Sequence, residues 1–182
     1  MSEGTPNAGR DATNGSADTD ADVDAASDPL VDVTVRRVER ADLLDVLRIE
    51  KRCFTEPWPY AAFESFLDEP GFLIAEREGS VLGYVVADVM PNHGRDIGHI
   101  KDLAVAPEAR GLGLGRRILR RGLLSLSFSG AAVVKLEVRV ENEPALSLYR
   151  EVGFDPARRV PSYYADGEDA YLMVLDLSEW QG

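Results

Sequence analysis

One cysteine, two histidines and three lysines stand in a chain of 182 residues, and each scarcity closes off a class of chemistry. Cys53 alone can form no intramolecular disulfide and no cysteine-based zinc cluster, and such a chain suits the reducing cytosol. No motif surrounds Cys53 to mark it as a nucleophile, so it reads as a small core residue. His93 and His99 are too few to suggest a metal site, and no metal is expected. No run approaches the ~18 apolar residues that a membrane span requires, and Met1-Ser2-Glu3-Gly4 lacks the basic start of a signal peptide. The expectation is a cytoplasmic protein without a membrane partner.

Positive charge is also short. Twenty Lys and Arg face 32 Asp and Glu, for a formal net charge of −12. Binding to a nucleic-acid backbone rests on clustered Lys and Arg that neutralise phosphates, so no nucleic-acid partner is expected. The acidity is uneven, because residues 1–32 hold eight Asp and Glu against Arg10 alone. Residues 1–30 are built mainly from Gly, Ala, Ser, Thr, Asn and Asp, which cannot bury enough surface to offset chain entropy. They read as a disordered acidic tail, with a boundary near residue 32. The rest, 33–182, is long enough for one well-packed domain and too short for two.

From Val33 onward the hydrophobic period switches repeatedly. Val33, Val35 and Val38 suggest a strand, and Leu43, Leu44, Val46, Leu47 and Ile49 place a helix over Ala41–Phe54. After the Pro57-Trp58-Pro59 turn a second helix carries Phe63, Phe66 and Leu67. Strands follow over Gly71–Glu78, Val81–Met90 and Ile97–Val105, the first two joined by a short Gly-containing hairpin connection. A helix with Ile118, Leu119, Leu123 and Leu126, a strand Val133–Val140, and a short helix from the Asn142 cap to Gly153 come next. Two last strands, Phe154–Ser162 and Asp169–Leu177, flank a turn containing Asp166-Gly167. The order βααβββαβαββ predicts an α/β fold whose mixed sheet of about seven strands, mostly antiparallel, is covered by helices on both faces.

Arg110-Gly111-Leu112-Gly113-Leu114-Gly115 follows a strand and opens a helix. Backbone N–H groups at such a turn point outward at the positive end of a helix dipole, which cradles a pyrophosphate. Glycine lets a ligand lie against the main chain and permits the positive φ values that aim the amides. A dinucleotide fingerprint starting at Gly111 and Gly113 would need its third glycine at Arg116, and the Gly-Lys-Ser/Thr of a Walker loop is absent. The third reading is R-x-x-G-x-G at Arg110, Gly113 and Gly115, after a strand ending Leu103-Ala104-Val105. In this respect the chain resembles the GNAT acetyltransferase superfamily, whose acetyl-CoA signature has this form and this strand-turn-helix setting. The resemblance implies acetyl-CoA as cofactor, gripped at Arg110, Gly111, Leu112, Gly113, Leu114, Gly115 and Arg116. It also implies main-chain contacts from Leu103, Ala104 and Val105, in a gap where two strands splay apart. Arg117, Arg120 and Arg121 extend the local basic patch, part solvated helix face and part candidate phosphate contacts.

In Val133–Val140, Val134, Leu136, Val138 and Val140 share one face by the two-residue period, so Glu137 looks out from the other. Taken by themselves, Glu137 reads as an outward polar residue and Tyr149 as a core aromatic on the stripe of Leu146. The run Leu136-Glu137-Val138-Arg139, then Asn142, Ala145-Leu146-x-Leu148-Tyr149 and Gly153-Phe154, is similar to the catalytic segment of RimI-like ribosomal-protein-alanine N-acetyltransferases. That match implies Glu137 as proton acceptor, Tyr149 as proton donor to the leaving thiolate, and Asn142 as a cofactor contact. An α-amino group, with its pKa near ~8, arrives mostly protonated at neutral pH, which is why a base is needed. Pro57-Trp58 and Tyr163-Tyr164 match segments that border the peptide groove in that family, and the acceptor implied is a protein N-terminus, including that of a ribosomal protein. Two other readings stay open: acetylation of a small amine or a lysine side chain, and a regulatory protein that binds acetyl-CoA without transferring the group. A monomer or weak dimer is expected.

Overall fold

The computed structural model describes residues 28–182. The tail expected over residues 1–32 falls mostly outside these described residues. Its last part is packed: Leu30 is buried, and its carbonyl accepts a hydrogen bond from Arg117. Leu30 is the one large apolar group near the end of the acidic stretch, which is why the packed chain starts earlier than composition suggests.

Seven strands and four α-helices follow in the expected order: β1 (Thr34–Arg37), α1 (Leu43–Cys53), α2 (Tyr60–Ser65), β2 (Leu73–Arg77), β3 (Ser80–Met90), β4 (Asp96–Val105), α3 (Leu114–Phe128), β5 (Ala131–Arg139), α4 (Glu143–Val152), β6 (Asp155–Val160) and β7 (Ala170–Asp176). They form one sheet in the spatial order β1-β2-β3-β4-β5-β7-β6. Every neighbouring pair is antiparallel except β4 with β5. That parallel pair requires a crossover, and α3 supplies it.

Local chemistry accounts for the boundaries. Glu78 and Gly79, both with positive φ, make the two-residue connection between β2 and β3, the backbone that matches the strands' twist. At the start of α4 the Asn142 side chain accepts from the Ala145 amide, and Gly153, at φ +112°, ends that helix in the left-handed region. In β5 the buried residues Val134, Leu136 and Val138 alternate with the less buried Lys135, Glu137 and Arg139, as the two-residue period predicts.

The two faces of the sheet are filled by different helices. On β3, Val85 meets Gly122 of α3, while the next residue, Tyr84, points the other way to Glu50 of α1. α1 and α2 therefore cover one face and α3 the other. The core runs through both layers, with Phe63, Phe72 and Tyr84 on the first and Ile118, Leu119 and Leu123 on the second.

Close packing makes one glycine sensitive. A Cβ at Gly71, just before β2, would stand 2.6 Å from both the Cβ and the carbonyl oxygen of Ala87. Backbone cannot yield as a flexible side chain can, so Gly71→Ala is expected to destabilise the fold by about 2 kcal/mol, read from urea unfolding.

Candidate active site

The site exists because β4 and β5 separate. Their parallel ladder runs from Asp96–Ala131 to Ile100–Leu136 and stops there, although β4 continues to Val105 and β5 to Arg139. The register of β4 against β3 slips at the same point, from Ala87–Ile100 to Val86–Asp102, which leaves Lys101 as an extra residue. Such a bulge sharpens the local twist and turns a strand away from its neighbour. A cleft of about 500 Å³ opens at the parting, between Asp102 and Leu103 on one side and Glu137, Asn142 and Tyr149 on the other. The edge of β4 that faces this gap has no strand partner beyond Ile100.

Glu137 sits at the head of the gap. Its Oε2 lies 2.6 Å from His99 Nε2, and Lys135 Nζ is 3.7 Å from its Oε1. His99 Nδ1 is 3.1 Å from Lys101 Nζ, which in turn is 3.2 Å from Asp88. An ammonium group can only donate, so Nδ1 is an acceptor and the imidazole hydrogen rests on Nε2, aimed at Glu137. Burial pushes the Glu137 carboxyl up, but the hydrogen bond from His99, aided by Lys135, outweighs it and leaves the pKa lowered. Glu137 is an ionised carboxylate attached to a chain of hydrogen-bonding groups.

Tyr149 projects from α4 and is 8 % exposed, its ring packed edge-on against Phe154 at 5.8 Å. Burial, followed by the nearby negative charge of Asp102, holds its phenol well above the usual range, so it keeps its proton. Across the gap a third group of side chains meets. Tyr84 Oη contacts Glu50 Oε2 and lies 2.8 Å from Asp102 Oδ2, and Glu50 Oε1 accepts the Trp58 amide at 2.7 Å. Burial and then the charge of Glu50 push the Asp102 carboxyl up to about 8.

Aromatic groups wall the cleft. Trp58 packs against Phe63 and Phe66, and Tyr164 lies under the Arg139 guanidinium at 3.9 Å. Arg139 is itself bonded to Asp166 and Glu168, which fixes the β6–β7 connection beside β5. Of the four expected substrate-side residues, Trp58 and Tyr164 line the cleft. Pro57 and Tyr163 do not, although Tyr163 is edge-on to Tyr164 at 5.0 Å.

The glycine turn lies at the far end of the gap. Gly111 and Gly113 both have φ near +80°, and nothing lies within 4 Å of where a Cβ would stand on either. α3 begins with no side-chain cap, so the amides of Leu114, Gly115 and Arg116 carry no intrahelical partner. Gly115 faces Val105 and Leu148, which places this helix end beside the last residue of β4 and beside α4. The expected basic patch is largely engaged elsewhere. Arg110 donates to the Val105 carbonyl and to Cys53 Sγ, Arg116 pairs with Glu151, Arg117 holds Leu30, and Arg120 lies over Trp180. Cys53, expected as a core residue, is half-buried and borders the cleft.

The sequence reading missed His99, Glu50, Tyr84 and Asp102. His99 meets Glu137 only through the parallel β4–β5 register, which nothing local encodes. Glu50 carried a usable signal, as a charged residue beside Ile49 on the apolar stripe of α1, where it is 2 % exposed.

A family model described as the acetyltransferase (GNAT) family matches residues 43–154. An N-alpha-acetyltransferase of Sulfolobus acidocaldarius is 36 % identical over 159 residues, covering 81 % of this chain and 94 % of that protein. N-alpha-acetyltransferase RimI of Mycobacterium tuberculosis is 36 % identical over 149 residues, with 79 % and 92 % covered. The crystal structure of the ribosomal-protein-S18-alanine N-acetyltransferase from Escherichia coli superposes with a TM-score of 0.71 at 30 % identity, covering 80 % of this chain and 94 % of that one.

The raised pKa of Asp102 sets a pH dependence of stability. A carboxyl that binds its proton more tightly when folded contributes fully below its unfolded pKa, near ~4, and loses that contribution as pH rises through its folded value. For Asp102 the loss extends to about 8. In thermal melts Asp102→Asn is therefore expected to lose less stability than the wild type between about pH 4 and about pH 8.

Proposed function

The chain belongs to the acetyltransferase (GNAT) family, and on that premise we propose that it transfers the acetyl group of acetyl-CoA directly to the α-amino group at a protein N-terminus. The observation that carries this reading is the meeting of an ionised carboxylate, Glu137, and a protonated buried phenol, Tyr149, across one strand gap walled by Trp58 and Tyr164. Relatives named for N-alpha and ribosomal-protein-alanine acetylation support the choice of acceptor.

The residues present fit the cofactor. An uncapped helix of fifteen residues, entered through two open positive-φ glycines, suits a diphosphate. In this reading Gly111–Arg116 hold it mainly through main-chain amides, with Arg110 bracing the turn from behind. The unpaired edge of β4, from Leu103 to Val105, takes the extended arm, and an amide near Val105 polarises the thioester carbonyl. Asn142 spends its Oδ1 on capping α4, which leaves its NH₂ for a contact. When bound, acetyl-CoA supplies an activated acetyl thioester.

Glu137 accepts a proton from the incoming ammonium, and His99 with Lys101 holds it in place and leads from the cleft toward Asp88. Tyr149 gives its proton to the departing sulfur. Trp58 and Tyr164, with Pro57 and Tyr163 behind them, border the acceptor. The working unit in this reading is residues 33–182, acting in the cytoplasm as a monomer or weak dimer, with a ribosomal protein as one acceptor.

A panel of short peptides set against polyamines, amino sugars and lysine side chains tests the acceptor, and turnover of small amines alone would remove the N-terminal reading. Tyr149→Phe is expected to lower kcat by about 100-fold while acetyl-CoA affinity by calorimetry stays near wild type. Unchanged turnover contradicts the role given to the phenol. Glu137→Gln is expected to move the optimum of activity to higher pH, where the amine arrives free, and an unaltered pH–rate profile counts against a base at that position.

A further inference from the structure

The group formed by Glu50, Tyr84 and Asp102 has no part in the steps above, yet Glu50 and Asp102 border the same cleft. Its hydrogen-bond count is unusual. Tyr84 Oη owns one hydrogen but lies within bonding distance of two carboxyl groups, 2.8 Å from Asp102 and closer still to Glu50. With both carboxyls ionised, one of those two contacts would set oxygen against oxygen with nothing between them. The arrangement closes only when one carboxyl carries a proton of its own. Glu50 is 2 % exposed and Tyr84 fully buried, so two negative charges at this spacing are also disfavoured by the medium.

The surrounding charges do not cancel this pair. On β4, Lys101 is engaged by Asp88 of β3 and by His99, and on β5, Arg139 is engaged by Asp166 and Glu168. Glu137 and Glu56 add further negative charge to the lining, and the phenols of Tyr149 and Tyr164 complete it. Among the described residues no cation pairs with Glu50 or Asp102. Asp102 and the Tyr149 phenol line the same cleft.

We propose that Glu50, Tyr84 and Asp102 share a single proton at the floor of the cleft and serve as its proton exchanger, receiving one from the acceptor nitrogen and returning one to Tyr149 after each transfer. The inference rests on the reading of Tyr149 as the acid. The nitrogen lone pair forms the N–C bond and the C–S pair leaves with sulfur, so no oxidant or reductant is required. An ammonium nitrogen carries three hydrogens and the amide keeps one, so two protons leave it. One passes to solvent by way of Glu137. The other replaces, through the shared site, the proton that Tyr149 gives to sulfur. Asp102 faces the gap, while Glu50 and Tyr84 act through it as positioning residues.

The test uses the full chain. Infrared spectroscopy near neutral pH is expected to show a protonated carboxyl band that disappears in Asp102→Asn and in Glu50→Gln, each of which leaves a single ionised carboxylate satisfied by Tyr84 and an amide. In steady-state kinetics with a peptide acceptor, both variants are expected to lose about tenfold in kcat with little change in the KM for acetyl-CoA. The descending alkaline limb of the wild-type kcat profile, which reports loss of the shared proton, is expected to vanish. A wild-type protein without the carboxyl band overturns the proposal, whatever its activity. So do two folded variants that keep wild-type turnover and the alkaline limb. If the wild type acetylates no amine, the proposed function fails separately, and the band alone then upholds or overturns the shared proton.

Discussion

The parting of β4 from β5 is the constraint on which the site depends. A continuous parallel ladder would occupy the backbone edge of β4 and bury Glu137 against its neighbour. The bulge at Lys101 breaks that ladder after five pairs and delivers three consequences at once. It leaves an extended edge without a partner, turns Asp102 toward Tyr84, and carries Lys101 to a place where it can reach both His99 and Asp88. One inserted residue thus sets the shape of the cleft and the hydrogen bonding on either side of it.

Electrostatics then divides the carboxyl groups around the gap. Glu137 and Asp102 are both partly buried acids, yet their environments pull them in opposite directions. Glu137 has an imidazole and an ammonium group beside it and stays ionised. Asp102 has a second carboxyl and a phenol beside it and holds a proton far above the ordinary carboxylate range. Separation of two acids by environment is the arrangement that the proposed proton removal and proton delivery at one pH require. Tyr149, buried at the same cleft, is kept in the protonated form.

The fold was legible in the sequence because each element carries a local signal. The alternation of β5, the Asn142 cap and the Gly153 stop need only a few neighbouring residues to be read, and they appear where expected. Gly111 and Gly113 announced their turn for the same reason: their positive φ is a property of single residues. The partners of Glu137 were not legible. His99 precedes it by 38 positions and meets it only when two parallel strands align, and Asp102 acquires its role from a bulge that leaves no mark in composition. Arginines near the glycine turn have partners, such as Glu151 and the Leu30 carbonyl, of which charge density in the sequence says nothing. Sequence thus located the candidate groups on their elements, while tertiary register decided what surrounds them.

Two helices begin beside the gap, and the difference between their first turns assigns their work. α4 opens with Asn142, whose side chain satisfies the Ala145 amide, and Pro144 removes a second donor from its first turn. Its dipole remains, but few free N–H groups are left to grip an anion. α3 opens with Gly113, which has no side chain to cap anything, and neither Gly111 nor Gly113 would meet an atom if it carried a Cβ. Uncapped amides lower the stability of a helix end unless water or a ligand satisfies them, so an exposed glycine entry on a fifteen-residue helix is a cost with a purpose. The closed end carries Tyr149 on a rigid, self-satisfied helix, and the open end is left to bind. The proposed anchoring and chemistry would therefore fall on separate helices that meet where Gly115 faces Leu148, so that a phosphate grip could hold its ligand without moving the phenol.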